Sequence, residues 1–322
     1  MARQPLPKRL LGRTSIALSP IAFGAGPVPA LLTREGSHAA QLPTIARALE
    51  AGINWFDTAA TYGEGRSETH LGAALRALGA VQSVHVATKV RLEACDLDDI
   101  QGAITRSLRG SLARLGLPRV TLLQLHNSIT TRRGDQPTSI TPRDVLEHVV
   151  PAMECLRRDG VVGEMGLTAL GELPSLSQVL RGARWATAQV CCNLLDVPAP
   201  LLSLCAQTGT AVLAIRVLAG GALAGQPPSD HTRTTRFFPL HRYEQDARLS
   251  ERLATLLPAG MSLPEAAIRV VTGRTDVASA IIGFASPEQV DEAVRFAAEG
   301  PLPPGLLELL QQSAASPQPL TP

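Results

Sequence analysis

The feature that most constrains this chain is an alternation. Eight short β-rich runs, separated for most of the length by stretches of helical periodicity, fill the sequence. The runs are SPIAF (Ser19–Phe23), NWFDTA (Asn54–Ala59), VHVATKV (Val84–Val90), TLLQLHN (Thr121–Asn127), EMGLTAL (Glu164–Leu170), TAQVCCN (Thr187–Asn193), AVLAIRV (Ala211–Val217) and SAIIGF (Ser279–Phe284). Between them, segments such as LPTIARALEAG, SETHLGAALRAL, DDIQGAITRSLRGSLARLG and VLEHVVPAMECLRRDG repeat apolar residues at three and four, as helices covering a sheet require. Gly52, Gly79, Gly116, Gly160 and Gly209 follow the last helical turns, where a helix stops. Most of the β-runs are too apolar to have a wet face. Strands buried on both sides, each followed by a helix, predict a closed parallel α/β fold, the (β/α)8 or TIM barrel.

At 322 residues the chain has room for that architecture as a single domain. The expected barrel spans residues 1–312, and 313–322, Pro- and Ser-rich, form a flexible tail. RLLGRTSIALS predicts an N-terminal β-hairpin closing the barrel floor. The long gap between Val217 and Ser279 predicts a polar loop on the face where the carboxyl ends of the strands emerge, a usual place for function.

Several function classes drop out. Thirty basic side chains against twenty-eight acidic ones leave a net +2, which gives no reason to expect nucleic acid or an anionic membrane as partner. Arg216 interrupts the most apolar stretch, AVLAIRVLAGGALAG, and the basic start lacks the apolar core of a secretory signal. Cys95, Cys155, Cys191, Cys192 and Cys205 have neither disulfide-framework nor metal-ligand spacing. The seven histidines form no HxH or HExxH pair, so no metal site is expected. GAGPVP begins like a dinucleotide-binding glycine motif, but Pro29 takes the last glycine's place. The chain reads as a reduced, cytoplasmic protein.

In a (β/α)8 barrel the site is built at the carboxyl ends of the strands. Asp57, Lys89 and His126 stand at three successive ends, and Tyr62 follows Asp57 by five residues. Taken singly, each has an ordinary structural explanation: a turn cap, a rim charge, a core histidine, a packed loop residue. Together they converge on one mouth. Lys89 is moreover one of only two lysines, with Lys8, and Tyr62 one of only two tyrosines. A phenol with a pKa near ~10 is a poor acid at neutral pH. An adjacent ammonium favours the phenolate, and a carboxylate behind the ammonium keeps it charged and oriented. Such a group of residues can protonate a carbonyl oxygen, with His126 orienting the carbonyl.

With these residues in place, the chain resembles the aldo-keto reductases over roughly Arg9 to Ala298. The resemblance is carried by RLLGRTSIALSPIAFG, AGINWFDTAATYGEGRSETHLGAAL, VATKV, ITRSLRGSLARLGLPRVTLLQLHN, LRRDGVVGEMGLTAL, AQVCCNLLD and IIGFASPEQVDEAV. It implies catalytic roles for Asp57, Tyr62, Lys89 and His126. It implies that Gln189 and Thr168 hold a nicotinamide carboxamide, with Ala169 where the family has Asn. Ile215 and Arg216 lie where an aromatic usually stacks on the ring, and Leu218, Gly221 and Leu223 fall in the pyrophosphate-clasping stretch. Gly283, Ala285, Ser286, Gln289 and Glu292 match the adenosine end, with Ser286 as N-cap and Pro287 opening the helix. No Arg or Lys lies between Arg274 and Arg295, where the family often places a cation for the 2′-phosphate. The expected cofactor is NADP(H), with NAD(H) as alternative. The expected partner is a small-molecule carbonyl or alcohol, recognised in part by Trp55 and Asn127, and the expected assembly is a monomer or small homo-oligomer. The leading function is reduction of an aldehyde or ketone. NAD-dependent oxidation of a sugar or pyridoxal-type alcohol comes second, and a non-catalytic nicotinamide-binding regulatory subunit third.

Overall fold

The computed structural model describes residues 6–35 and 38–315. A short antiparallel hairpin, β1 (Arg9–Leu10) with β2 (Ala17–Leu18), precedes eight strands: β3 (Ile21–Gly24), β4 (Trp55–Asp57), β5 (His85–Val90), β6 (Val120–Leu125), β7 (Val162–Thr168), β8 (Thr187–Cys191), β9 (Ala211–Ile215) and β10 (Ser279–Gly283). These eight are all parallel to their neighbours and close into a barrel in chain order, with β10 pairing β3. The expected (β/α)8 barrel with an N-terminal hairpin is the fold observed.

Helices α1 (His38–Glu50), α2 (Arg66–Ala77) and α3 (Ile100–Leu115) follow the first three barrel strands. The next crossover is broken into α4 (Pro142–Asp144), a π-helical turn (Val145–Val149) and α5 (Val150–Arg158). Then come α6 (Leu173–Gly182), α7 (Ala199–Thr208), α8 (Asp230–Thr234), α9 (Leu240–Ala254), α10 (Leu263–Thr272), α11 (Pro287–Ala298) and α12 (Pro304–Ala315). Gly116 and Gly209 end α3 and α7 at φ 63° and 67°, left-handed positions that glycine adopts without a Cβ penalty.

Side chains alternate across each strand, so the barrel wall has two faces. Outward residues such as Phe23, Phe56, Leu123, Met165 and Val190 pack under the helices in the main core. Each large apolar side chain so buried contributes about 1.5–3 kcal/mol. Inward residues change character along the axis. Near the floor Trp55, Ala87, Leu122 and Leu213 pack with Leu11 and Leu18 of the hairpin region, which plugs that end. Two residues further along, the same strands present Asp57, Lys89 and Gln124. The barrel is therefore dry below and polar at the mouth.

The segment after β9 departs from the expected loop. Ala219–Ala224 is a 3-10 helix, α8 follows, and α9 starts at Leu240, so much of Gln226–Asp246 is helical. The domain end expected at residue 312 falls inside α12, which continues to Ala315. The rest of the expected tail lies outside the described residues.

Candidate active site

One ammonium organises the barrel mouth. Asp57 ends β4 and Lys89 lies one residue before the end of β5, both buried. Lys89 Nζ donates to Asp57 Oδ1, to the Thr58 carbonyl at 2.8 Å and to the Tyr62 hydroxyl at 3.3 Å. It sits 4.8 Å from the Tyr62 ring centre, and the His126 ring stands edge-on to that ring with centroids 5.9 Å apart. Asp57 Oδ2 accepts from Gln189 Nε2 at 2.6 Å and from Gln124 Nε2 at 3.2 Å. All four residues expected as catalytic are thus brought together.

The loop bearing Tyr62 is held from below. Ser67 Oγ donates to the Ala25 carbonyl at 2.7 Å and lies 2.8 Å from Thr58 Oγ1. The buried Glu68 carboxylate accepts from Thr88 Oγ1 at 2.5 Å and from Arg114 Nε at 2.7 Å, tying the first turn of α2 to β5 and α3. Gly63 has φ 57° and lies so close to Thr33 that a Cβ would sit 3.0 Å from that residue. In NWFDTAATYGEGRSE, then, Asp57 and Tyr62 reach the mouth while Ser67 and Glu68 are scaffold.

Burial acts on Asp57, Lys89 and His126. It is the largest influence on Asp57 and pushes its pKa up, while Lys89, Gln189 and Gln124 pull the other way. Burial also works hardest against the Lys89 ammonium, but Asp57 and Tyr62 carry its pKa above the ordinary lysine value. The two shifts disagree about the pair, since one neutralises the carboxylate and the other keeps the ammonium. Three donors on a single carboxylate favour the ion pair. His126 is held well below the usual imidazole range by burial first, then by Lys89 and Arg91. Its ring is neutral at physiological pH, and among the described residues its buried Nδ1 has no partner.

Two expected substrate residues lie elsewhere. Trp55 is fully buried one layer beneath Asp57, with its ring 5.9 Å from that of His85, because a residue two before the strand end points inward but deeper. Asn127 is equally buried, and its amide is engaged by the surrounding loops. Oδ1 accepts from the Leu92 amide at 2.9 Å, while Nδ2 donates to the carbonyls of Leu92 at 2.8 Å and Thr138 at 2.6 Å. It fastens the loops after β5 and β6 to one another, with both amide hydrogens engaged.

The expected cofactor shell is only partly assembled. Thr168 pairs in register with Gln189 on β8, and its buried hydroxyl has no partner among the described residues. Ile215 ends β9, half-buried. Arg216, at φ 54°, stacks its guanidinium 4.2 Å from the Phe238 ring centre and pairs with Asp246 at 3.3 Å, which pins α9 over the mouth. Leu218 precedes a left-handed run through Ala219, Gly220 and Gly221, with φ 50°, 71° and 106°. The Leu223 side chain is buried in a separate core with Tyr243 and Leu253. At the other end, a Cβ on Gly283 would overlap the Val28 carbonyl, so the loop after β3 lies directly over the end of β10. Ser286 occupies the N-cap position but makes no side-chain cap; Gln289 Oε1 instead accepts from the Ala285 amide at 2.8 Å. Glu292 is exposed on α11. Sequence reasoning overlooked Gln124, although a lone amide two residues before His126 in an apolar strand was a visible signal.

Among the described residues no helix is long and apolar enough to cross a membrane, and no three His, Cys, Asp or Glu side chains gather as metal ligands. The model of the aldo/keto reductase family matches residues 20–313. An L-galactose dehydrogenase from Arabidopsis thaliana is 28% identical over 303 residues, covering 90% of this chain and 88% of its own. The aflatoxin B1 aldehyde reductase member 2 of Rattus norvegicus is 27% identical, with 97% of this chain and 89% of that protein aligned. An aldo-keto reductase from Klebsiella pneumoniae, solved in complex with NADPH, superposes with a TM-score of 0.72 at 23% identity, covering 98% of each chain.

Proposed function

This chain belongs to the aldo-keto reductase family, and from that premise we propose that it is a nicotinamide-dependent oxidoreductase reducing a small aldehyde or ketone to an alcohol. The observation that carries this reading is the Lys89 ammonium shared between Asp57 and Tyr62. Tyr62 gives its hydroxyl proton to the carbonyl oxygen as negative charge develops there. Lys89, already at the phenol oxygen, stabilises the phenolate left behind, and Asp57 holds Lys89 in place and charged. Neutral His126 orients the carbonyl from the far side of Tyr62. Alcohol oxidation uses the same residues in reverse, with Tyr62 as base.

The residues present fit a dinucleotide. The partnerless Thr168 hydroxyl beside Gln189 suits the carboxamide, which those two residues would hold. Ile215 would cover the ring, the turn from Leu218 to Gly221 would take the pyrophosphate, and Gly283, Ala285, Ser286, Gln289 and Glu292 would take the adenosine end. NADP(H), when bound, supplies or accepts the hydride.

A second reading, NAD-dependent oxidation of a sugar or pyridoxal-type alcohol, is supported in its sugar form by two observations. One relative is an L-galactose dehydrogenase, and no cation lies between Arg274 and Arg295 for a 2′-phosphate. A nicotinamide-absorbance assay crossing NADPH and NADH with aldehydes, ketones and sugars tests both. Binding of either cofactor with no turnover of any substrate would leave the regulatory-subunit reading.

A further inference from the structure

We propose that Gln124 is a positioning residue of the reaction: it holds the Asp57 carboxylate ionised and aimed at Lys89. This rests on the carbonyl-reducing reading above. Gln124 is wholly buried on β6, and it lies beside Lys89 in the β5–β6 register and beside Gly166 in the β6–β7 register. Its Nε2 donates to Asp57 Oδ2 at 3.2 Å, on the oxygen that Lys89 leaves to the amides. The opposite amide orientation would set Oε1 against the carboxylate, so the observed one is imposed by charge.

That orientation has a cost. Gln124 Oε1 is buried without a partner among the described residues, a penalty that an apolar side chain would avoid. The neighbouring strand is close-packed beside it as well. Gly166 stands inside β7, where glycine weakens a strand. A Cβ there would overlap Thr187 Oγ1 and come 3.1 Å from Gln124 Cγ. A wholly buried polar side chain with an unmatched acceptor, crowded against the neighbouring strand, requires a compensating contact. Asp57 is the one it makes.

The charged and titratable groups around Asp57 are Lys89 and, beyond it, Tyr62 and His126; Gln124 and Gln189 are neutral donors. Removing one neutral donor from a buried carboxylate favours its protonated form. A protonated Asp57 no longer fixes the ammonium beside Tyr62.

Gln124→Met keeps the shape and removes the donor. Expected is a roughly ten- to hundredfold fall in kcat, with KM and NADPH affinity little changed. The acid limb of the pH–rate profile should move to higher pH. In an Asp57→Asn background the same substitution should cost little more, because the two residues act as one unit. Gln124→Glu sharpens this. Its protonated carboxyl can donate the same hydrogen bond, so activity should survive at low pH and fall as rising pH ionises it beside Asp57. A readout free of turnover is the carboxyl-carbon NMR titration of Asp57, identified by its loss in Asp57→Asn, whose midpoint should rise in Gln124→Met. The proposal is overturned if folded Gln124→Met keeps kcat within twofold, or if its acid limb and Asp57 midpoint stay put. It is equally overturned if Gln124 and Asp57 substitutions add independently. Loss of turnover in Tyr62→Phe alongside unaltered Gln124 variants would sink this inference alone. Full turnover in Tyr62→Phe would instead sink the underlying reading, and the Asp57 titration would still decide the role of Gln124.

Discussion

The two ends of the proposed cofactor groove are built on opposite principles. At the barrel mouth the charged groups lean on their neighbours. Asp57 takes three donors, Lys89 bridges a carboxylate, a carbonyl and a phenol, and the loop below is fastened through Ser67 and Glu68. Beside β10 and α11 the rim is made of small side chains and carries no cation between Arg274 and Arg295. Gly283, Ala285 and Ser286 are half-buried, and Gln289 turns back to cap its own loop. Where removing one partner strands another inside, substitutions are severe and the chemistry is narrowly defined. Where donors are neutral and water is near, changes are graded. The mouth therefore sets what reaction is done, and the rim sets by how much one cofactor is preferred.

Tyr62→Phe is the harshest test of the mouth. It should leave the fold and NADPH binding intact and lower carbonyl reduction by roughly 10²–10⁴-fold, the usual worth of a positioned general acid. Cofactor titration together with steady-state kinetics on one aldehyde separates binding from chemistry. Undiminished kcat would remove Tyr62 from its role.

Lys89→Met probes whether the mouth is one unit. It leaves Asp57 buried without its charge partner, so stability should fall by about 3–5 kcal/mol along with activity. Lys89→Met combined with Asp57→Asn removes both charges, and most of the lost stability should return while turnover does not. Urea denaturation of the three proteins measures this. A single variant as stable as the wild type would mean that the pair is not the buried ionic unit described.

The same contrast explains what was legible in the sequence. The barrel was readable because strand and helix periods alternate and the strands lack a wet face. Asp57, Lys89, Tyr62 and His126 were readable because rare residue types sit at successive strand ends. The depth of Trp55 was not legible, because a period of two gives the face of a strand but not the depth in the barrel. Asn127 adjoins His126 in sequence, yet its amide is spent on Leu92 and Thr138, loop contacts that no local pattern reports. The Leu223 side chain packs with Tyr243 and Leu253, which arrive from a helix many residues away, another contact that no local pattern reports.

Ala285→Arg addresses the rim. An ionic hydrogen bond to a 2′-phosphate contributes about 1.5–3 kcal/mol, or roughly one to two decades of affinity. The substitution should tighten NADPH by that factor and leave NADH unchanged. The wild type, with neutral donors only, should prefer NADP(H) by less than about a hundredfold on the same arithmetic. Arg216 is engaged with Phe238 and Asp246, and Arg295 stacks 4.5 Å from Phe296, so neither is poised to substitute. A wild-type preference of several thousandfold would show that some cation does reach the phosphate.

The smallest effect belongs to His126, and its sign tests the dryness of the mouth. In the unfolded chain the imidazole titrates near ~6.5. In the folded protein burial, then Lys89 and Arg91, hold it well below that. Between the two values the unfolded state binds more protons, so stability rises with pH across this window and falls as the solution is acidified from about 6.5. One proton accounts for at most about 1.4 kcal/mol per pH unit. His85 and His231 are also lowered, chiefly by burial, and slope the same way, so the difference between wild type and His126→Asn isolates the one residue. That variant should lose stability less steeply from pH 6.5 towards pH 5 than the wild type. Parallel curves would place His126 in contact with water and with an ordinary pKa. The enclosed, neutral imidazole assigned to orient the carbonyl would then have to be replaced by a solvated one.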